Sequence, residues 1–96
     1  MLKTDQLSLT HIVTQEEGMI VSDMDGEKVM LHIERGSYFN LGEVGGVIWD
    51  MIKTPTGVKD VVLSLLEQFE VDEKTCEEQV IDFLNQLEKQ NLIKVV

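Results

Sequence analysis

Residues 37–52 read SYFNLGEVGGVIWDMI and join a short aromatic strand directly to a helix. Over residues 37–41 the side chains alternate in character, as in a strand with one buried face. After Gly42, apolar residues recur three and four positions apart, which predicts a helix. This stretch holds Tyr38, Phe39 and Trp49, three of the five aromatic residues in the chain. Much of the bulky packing surface is therefore concentrated where the strand meets the helix.

The segments before this stretch predict short strands joined by tight turns. Residues 9–14 are rich in β-branched side chains and predict a first strand. Residues 19–24 and 27–33 flank Asp25-Gly26, a dipeptide that tolerates the positive φ angles of a type I′ hairpin turn. A second turn then leads into residues 38–41. We therefore expect an antiparallel meander whose last strand lies at an edge.

The segments after this stretch predict three helices. Gly45 and Gly46 each cost about 1 kcal/mol relative to alanine in a helix interior, so we expect another group to approach the first helix closely. Pro55 disfavours a helical residue before it and ends that helix. A second helix begins near Val58, where apolar residues again recur at helical spacing.

The third helix and the segment after it complete the chain. Thr75 followed by Glu78 has capping-box spacing and predicts the start of this helix. Its apolar stripe is wider than one packing face needs, so we expect Ile81 and Leu84 to face away from the core. Asn91 ends the helix, and residues 92–96 predict a terminal strand or extended tail.

The length and the order of elements describe one α+β domain. Ninety-six residues suffice for a single core, so we expect one domain over residues 1–96, with a core at about residues 9–95. A meander of three to four short strands followed by three helices is the order of a winged helix-turn-helix domain. With Cys76 as the only cysteine and no apolar run of signal-peptide or membrane-helix length, we expect a cytoplasmic protein without disulfides.

The charge of the chain disfavours several classes of function. Eight basic against 18 acidic residues give a net charge of −10, which repels nucleic acid and anionic membranes. His11 and His32 have no cysteine or carboxylate at ligand spacing, so no metal site is expected. No catalytic motif or cofactor motif is present either. We therefore expect a binding protein that is not an enzyme.

The spacing of apolar residues resembles that of the PqqD-like family, the leader-peptide recognition domains of ribosomal-peptide biosynthesis. The likeness covers about residues 19–96, and the stand-alone proteins of lasso-peptide pathways look most similar. It rests on Tyr38-Phe39-Asn40-Leu41, Ile48-Trp49, Val58, Val61-Val62, Leu65-Leu66, Phe69-Glu70-Val71, Val80, Phe83-Leu84, Leu87 and Asn91-Leu92-Ile93. Gly42 stands where the family commonly has Asn or Asp.

The resemblance implies that the chain binds the N-terminal leader of a precursor peptide. The leader would add as a strand along residues 38–41 and press its side chains into the cleft beside the third helix, for delivery to a leader peptidase or another modifying enzyme. An unprotected strand edge suits this role physically, because its backbone donors and acceptors are free. The implied peptide-binding residues are Ser37, Tyr38, Phe39, Asn40, Leu41, Glu77, Val80, Ile81, Leu84 and Glu88, with the two glutamates as a rim for basic leader residues.

Three other interpretations stay open at this point. The same aromatic and apolar residues also suit a plain core and sheet rim without any binding role. The chain also resembles the peptide chaperone of pyrroloquinoline quinone synthesis, which serves a radical enzyme. A winged-helix DNA-binding regulator is the third interpretation, although the acidic third helix has the wrong sign for it. Whether the open edge also forms a homodimer is undecided by the sequence.

Overall fold

The computed structural model describes residues 7–96, which form two three-stranded antiparallel sheets and three helices. The strands are β1 (Ile12–Gln15), β2 (Met19–Met24), β3 (Glu27–His32), β4 (Ser37–Leu41), β5 (Thr56–Gly57) and β6 (Ile93–Val95). The helices are α1 (Gly42–Met51), α2 (Val58–Gln68) and α3 (Glu73–Lys89). The predicted α+β order, an antiparallel meander followed by three helices, is confirmed.

The meander consists of β2, β3 and β4 in that spatial order. Asp25 and Gly26 both have positive φ, 55° and 83°, and connect β2 to β3 in the predicted hairpin. Positive φ at both central positions is the mark of a type I′ turn, whose twist matches that of the flanking strands. The strand β4 pairs with β3 and lies at the edge of this sheet, as predicted.

The first strand belongs to the other sheet, so its predicted place near the meander needs correction. The strand β1 is central between β5 and β6, and it begins at Ile12, later than residues 9–14 suggest. Its partners lie about 40 and 80 residues further along the chain. A local pattern of side chains does not predict pairing between strands that lie so far apart in the sequence. The two-residue strand β5 was not predicted, because its sequence reads as the turn that follows Pro55.

Close packing against α1 explains its two adjacent glycines, as predicted. A Cβ atom at Gly45 would lie 2.9 Å from the Phe83 ring, and one at Gly46 would lie 2.9 Å from the Cβ atom of Lys28. The first neighbour belongs to α3 and the second to β3. The missing side chains therefore let α1 lie directly against both elements.

At the two ends of α3, the predicted N-cap is wrong and the predicted helix stop is confirmed. The N-cap is Asp72, whose carboxylate accepts a hydrogen bond from the Thr75 backbone N–H at 3.0 Å, so the expected Thr75 cap is wrong. At the other end Asn91 has a φ of 61°, and the Leu92 N–H donates to the Leu87 carbonyl. This left-handed residue with its backward hydrogen bond is a Schellman stop.

One apolar core joins both sheets to the three helices. Its buried members are Leu7, Val13, Met30, Leu41, Ile48, Trp49, Ile52, Val58, Val61, Val62, Leu65, Cys76, Val80, Leu84, Leu87, Leu92 and Ile93. Leu84 is 0% exposed, so the expectation that it faces away from the core is wrong. Positions 76, 80, 84 and 87 form one continuous stripe on α3, and that stripe is its core face.

Candidate functional site

The edge strand β4 presents one side of its backbone without a strand partner. Within residues 7–96, β3 is the only strand that pairs with it, and no loop donates a backbone hydrogen bond to it. Phe39 and Leu41 point to the core side, whereas Tyr38 is 74% exposed and Asn40 is also exposed, as predicted from the alternation. An unpaired edge of this kind is a template for one more strand.

The helix α3 runs beside this edge in the opposite direction. At one end, the Phe83 ring and the Cβ atom of Leu41 both lie within 3.3 Å of the point where a Gly45 Cβ would be. At the other end, Arg35, in the turn before β4, donates a hydrogen bond from Nη2 to the Gln90 carbonyl oxygen at 2.5 Å. Strand and helix thus frame a cleft that is bounded at both ends.

The cleft between β4 and α3 has a volume of about 430 Å³. Its lining residues are Tyr38, Phe39, Asn40 and Leu41 from the strand and Phe83, Gln86, Leu87, Lys89 and Gln90 from the helix and its C-cap. Buried Leu41 and Leu87 form an apolar floor, while the glutamines and the lysine form the helix rim. The arrangement can accept an extended chain through backbone pairing on one side and side-chain contacts on the other.

Of the predicted strand residues, the structure brings all but Ser37 to the lining of this cleft, and it places the predicted helix residues elsewhere. Val80 and Leu84 are buried in the core beneath it. Glu77 and Ile81 line a separate shallow depression together with Glu78, Asp82 and Asn85. At 100° per residue, Glu88 falls on the same flank as Ile81. That flank lies on the far side of the core stripe from β4, so the expected glutamate rim does not border the cleft.

Sequence reasoning missed the helix flank that does face β4. Phe83, Gln86 and Gln90 occupy it, and Phe83 is its only large apolar residue. The apolar stripe of α3 has a flank of partly exposed residues on each side. A helical wheel alone does not say which of the two flanks meets the strand. The one available signal was Gly45, because a missing side chain on α1 calls for a large neighbour such as Phe83.

A second, more enclosed cavity adjoins the cleft. It has a volume of about 280 Å³ and lies between the three helices. Its lining is almost entirely apolar: Val44, Gly45, Ile48, Leu65, Phe69, Val71, Cys76, Gln79, Val80 and Phe83. The half-buried Phe83 ring lines both spaces and forms the wall between them.

The polar groups near the strand are largely occupied within the protein. The Asn40 side chain donates to the Glu27 carboxylate at 3.1 Å and accepts from the Gly42 N–H at 2.9 Å. Lys28 binds Asp50 at 3.0 Å and Asp23 at 3.4 Å, and the hydrogen bond to Asp50 raises the pKa of Lys28. The two Lys28 contacts tie β3 to α1 and to β2. They support the edge strand from behind and do not face the cleft.

The described residues offer no cluster that suits metal chemistry. Within residues 7–96, no group of three or more His, Cys, Asp or Glu side chains comes together at a metal-binding spacing. The thiol of Cys76 is buried, and this burial raises its pKa, which keeps it protonated. A protonated buried thiol is a poor nucleophile.

The fold has counterparts among known proteins. The family model described as Coenzyme PQQ synthesis protein D (PqqD) matches residues 27–93. Among curated proteins, none matches the chain. A structure of TbiB1 in complex with the TbiA(beta) leader peptide is 28% identical, with a TM-score of 0.76, and the match covers 84% of this chain and 94% of that one.

Two further structures share the fold at lower sequence identity. Lasso peptide synthetase B1 complexed with the leader peptide is 18% identical, with a TM-score of 0.75, and the match covers 85% of this chain and 96% of that one. The PqqD truncation of Methylobacterium extorquens PqqCD, described as a stand-alone RiPP recognition element, is 15% identical, with a TM-score of 0.75 and coverages of 91% and 93%.

The helices α1, α2 and α3 are 10, 11 and 17 residues long. Over residues 7–96, none of them combines the length and the apolar character that crossing a bilayer requires.

Proposed function

This chain belongs to the PqqD family, and from that membership we propose that it binds the leader segment of a ribosomally synthesised precursor peptide as an added strand on β4. The observation that carries the proposal is the open β4 edge beside a cleft of about 430 Å³. Main-chain hydrogen bonds to β4 supply affinity, and side chains that enter the cleft supply specificity. The complex of TbiB1 with a leader peptide supports the same role here.

The proposed role is capture and delivery without chemistry on the peptide. Holding the leader raises the effective concentration of the precursor near a separate modifying enzyme. The family and the buried, protonated Cys76 support a binding role. The peptide-binding residues that we propose are Ser37–Leu41 of β4, with Phe83, Gln86, Lys89 and Gln90 on the facing helix flank.

Titration of the isotope-labelled chain with the leader of any precursor peptide encoded near its gene tests this proposal. We expect binding at micromolar affinity or tighter, with backbone amide resonances shifting over residues 37–41 and 83–90. Strand addition places new hydrogen bonds on the free amides of β4, so those resonances respond most strongly. Absence of both binding heat and resonance shifts would overturn the proposal.

A matched pair of helix variants locates the site. Phe83→Ala removes the ring that walls the cleft, and we expect it to weaken leader binding about tenfold or more, as at other buried aromatic anchors. Ile81→Ala removes another partly buried apolar side chain, on the opposite flank of α3, and we expect the leader affinity to stay within about twofold. Equal losses in the two variants would place the peptide elsewhere. Thermal unfolding of both variants controls for folding.

We further propose that the outer face of the meander docks the modifying enzyme. Ile20, Leu31 and Tyr38 pair across the three strands in one row, on the face opposite buried Met30. Ile20 and Tyr38 are 53% and 74% exposed, and Ile33, beyond the end of β3, is 55% exposed. A contiguous exposed apolar face of this kind marks an interaction surface.

The charges around this face indicate the chemistry of the partner. Asp25 and Glu27 lie at one end of the sheet, and Glu17 and Glu34 lie at the other, next to Arg35; all five are exposed. An enzyme that surrounds an apolar surface with basic residues would therefore complement it. A second copy of this chain would bring two net charges of −10 together, which disfavours self-association. A peptide added to β4 would extend the same sheet by one strand and so would lie next to the docked enzyme.

Substitutions on the outer face separate delivery from capture. We expect Ile20→Ser with Ile33→Ser to leave leader affinity unchanged and to slow leader removal by the leader peptidase of the same pathway about tenfold or more. Leu63→Ser on α2, another exposed apolar position, is the matched control and should leave both unchanged. Unaltered peptidase activity of the double variant would contradict the docking surface but leave leader capture standing. Sedimentation of the free chain shows whether the face forms a homodimer instead.

A radical enzyme of pyrroloquinoline quinone synthesis is the alternative partner, favoured by the description of the matching family model. The resemblance of the chain to the stand-alone lasso-pathway proteins favours the peptidase, and the 28% identity to TbiB1, solved with a leader peptide, is consistent with either partner. Co-purification of the chain with each encoded candidate enzyme, in the presence of the leader, decides between them. We expect the peptidase to be retained and a radical enzyme to be lost in the wash.

A further inference from the structure

The two ends of the cleft between β4 and α3 have opposite chemical character. At the Leu41 end, the Phe83 ring closes the cleft and also lines the apolar cavity of about 280 Å³ behind it. At the Ser37 end, Arg35 reaches the Gln90 carbonyl, and Lys89 lines the cleft beside it. A bound strand would therefore meet an apolar wall at one end and two cations at the other.

The positive charge at this end of the cleft contrasts with the acidic charge of the whole chain. Arg35 is the only arginine of a chain whose net charge is −10. Within residues 7–96, the ion pairs are those of Lys28, so neither Arg35 nor Lys89 has a carboxylate partner there. The bond to Gln90 uses one guanidinium N–H, and a guanidinium has five. Several charged donors are thus available at this end.

Capping of α3 accounts for only part of this arrangement. Cations near a helix C-terminus are favourable because of the helix dipole. However, the last turn already closes on itself, since the Asn91 N–H donates to the Glu88 carbonyl and the Leu92 N–H donates to the Leu87 carbonyl. These bonds satisfy the Leu87 and Glu88 carbonyl groups, and Arg35 satisfies that of Gln90, so capping does not explain both cations. Their position beside the start of β4 points to a ligand in the cleft.

We propose that the cleft selects a peptide that carries an Asp or Glu at the Arg35–Lys89 end and an apolar residue at the Phe83 end, an inference that rests on the proposed leader binding. From Ser37 to Leu41 there are four steps of about 3.3 Å, or about 13 Å in total. Side chains two and four positions apart on a strand share one face. The two specificity positions are therefore four residues apart on the bound strand. The carboxylate fixes the register, and the apolar residue supplies burial.

Selection from a random peptide library tests this motif without a known leader. The probe is a displayed library of random peptides of about 15 residues, enriched on the full immobilised chain. We expect the recovered peptides to pair an acidic residue with an apolar residue four positions away. Resynthesis of a recovered peptide with Lys in place of the acid should weaken its binding about fivefold or more. This loss should shrink as salt is raised, because screening weakens exposed charge pairs.

Charge reversal in the protein separates recognition from capping. We expect Lys89→Glu to bind the Lys-containing peptide better than the original one, which is a swap of preference. A cation that only caps α3 would not allow rescue by a charge on the peptide. Lys59→Glu, an exposed lysine on α2 away from the cleft, is the matched reversal and should keep the wild-type preference. Arg35→Gln, which retains an N–H donor for Gln90, should reduce the acidic preference without reversing it.

The outcomes distinguish this inference from the proposed function. One outcome overturns the inference but leaves strand capture standing. In it, the recovered peptides need Phe83 for binding, but they show no acidic preference, or they keep the same preference on Lys89→Glu. If no peptide is enriched, or if Phe83→Ala binds the recovered peptides as well as wild type does, strand capture in this cleft fails as well. A preference that swaps on Lys89→Glu establishes the inference.

Discussion

At the scale of single residues, Gly45 and Gly46 occupy adjacent positions of α1 but meet different neighbours. A Cβ at Gly45 would press mainly on the outer atoms of the half-buried Phe83 ring, and it would lie 3.3 Å from the Leu41 Cβ, a contact that a shift of a few tenths of an ångström relieves. A Cβ at Gly46 would press on the Cβ atom of Lys28, which is fixed to the backbone of β3. Alanine also gains about 1 kcal/mol of helix propensity at either site.

We therefore expect the two alanine substitutions to act on different properties. Gly45→Ala should keep the free energy of unfolding within about 1 kcal/mol of wild type but weaken leader binding, because Phe83 moves into the cleft. Gly46→Ala should lower the free energy of unfolding by about 1–3 kcal/mol, as overpacking does in other cores. Urea unfolding and calorimetric titration measure the two effects. A Gly45→Ala variant with unchanged leader affinity would contradict the role of Phe83.

Cys76 gives a pH-dependent prediction. Burial, with a smaller contribution from the Glu77 charge, raises the pKa of its thiol above the ordinary value of 9.0. Folding then favours the protonated thiol, so its contribution is complete below about pH 9 and is lost as pH rises through the folded pKa. We expect the free energy of unfolding to fall more steeply in wild type than in Cys76→Ala as the pH rises above about 9. Equal slopes would show that the thiol ionises as readily in the folded chain.

The sequence predicts the burial of single residues best where the pattern is local. Phe39 and Leu41 could be assigned to the core, and Tyr38 to the opposite face, because strand side chains alternate regardless of tertiary context. Phe83 could not be assigned to the cleft in this way. Its position there depends on which flank of α3 meets β4, and that is decided by packing against α1 through Gly45.

At the scale of elements, the N-terminus of α3 offers a direct comparison of two candidate caps. Asp72 caps the helix by accepting from the Thr75 N–H at 3.0 Å, whereas the Thr75 hydroxyl only donates to the same carboxylate at 3.3 Å. We expect Asp72→Ala to lower the free energy of unfolding by about 1 kcal/mol, the usual cost of a lost N-cap. Thr75→Ala should cost less than half as much, measured by urea unfolding. The reverse order would restore Thr75 as the cap.

The elements show the same division between local and non-local information. The hairpin at Asp25-Gly26, the start of α2 at Val58 and the stop at Asn91 were predicted because each depends on a few neighbouring residues. The placement of β1 between β5 and β6 was not predicted, since its partners are far away in sequence. The edge position of β4 could be predicted, because nothing after it in the chain reads as another strand of the meander.

At the scale of the whole molecule, one core spans both sheets. Val13 in β1 and Met30 in β3 belong to the same buried cluster as Trp49 of α1. We therefore expect residues 1–96 to unfold as one domain, with Trp49 fluorescence and far-ultraviolet circular dichroism showing coincident urea transitions. Separate transitions by the two probes would mean that the sheets unfold independently.

The net charge of −10 makes a second prediction about the whole molecule. The radius of gyration is 13.2 Å, so the excess carboxylates repel one another over distances close to the Debye length of about 10 Å at 0.1 M salt. Raising NaCl from about 10 mM to about 150 mM screens this repulsion and should increase the free energy of unfolding in urea by about 1 kcal/mol. Glu67→Lys, at an exposed position of α2, changes the net charge by two units to −8 and should reduce the response to salt. A loss of stability with added salt would instead mean that attractive pairs, such as Lys28 with Asp50, outweigh the general repulsion.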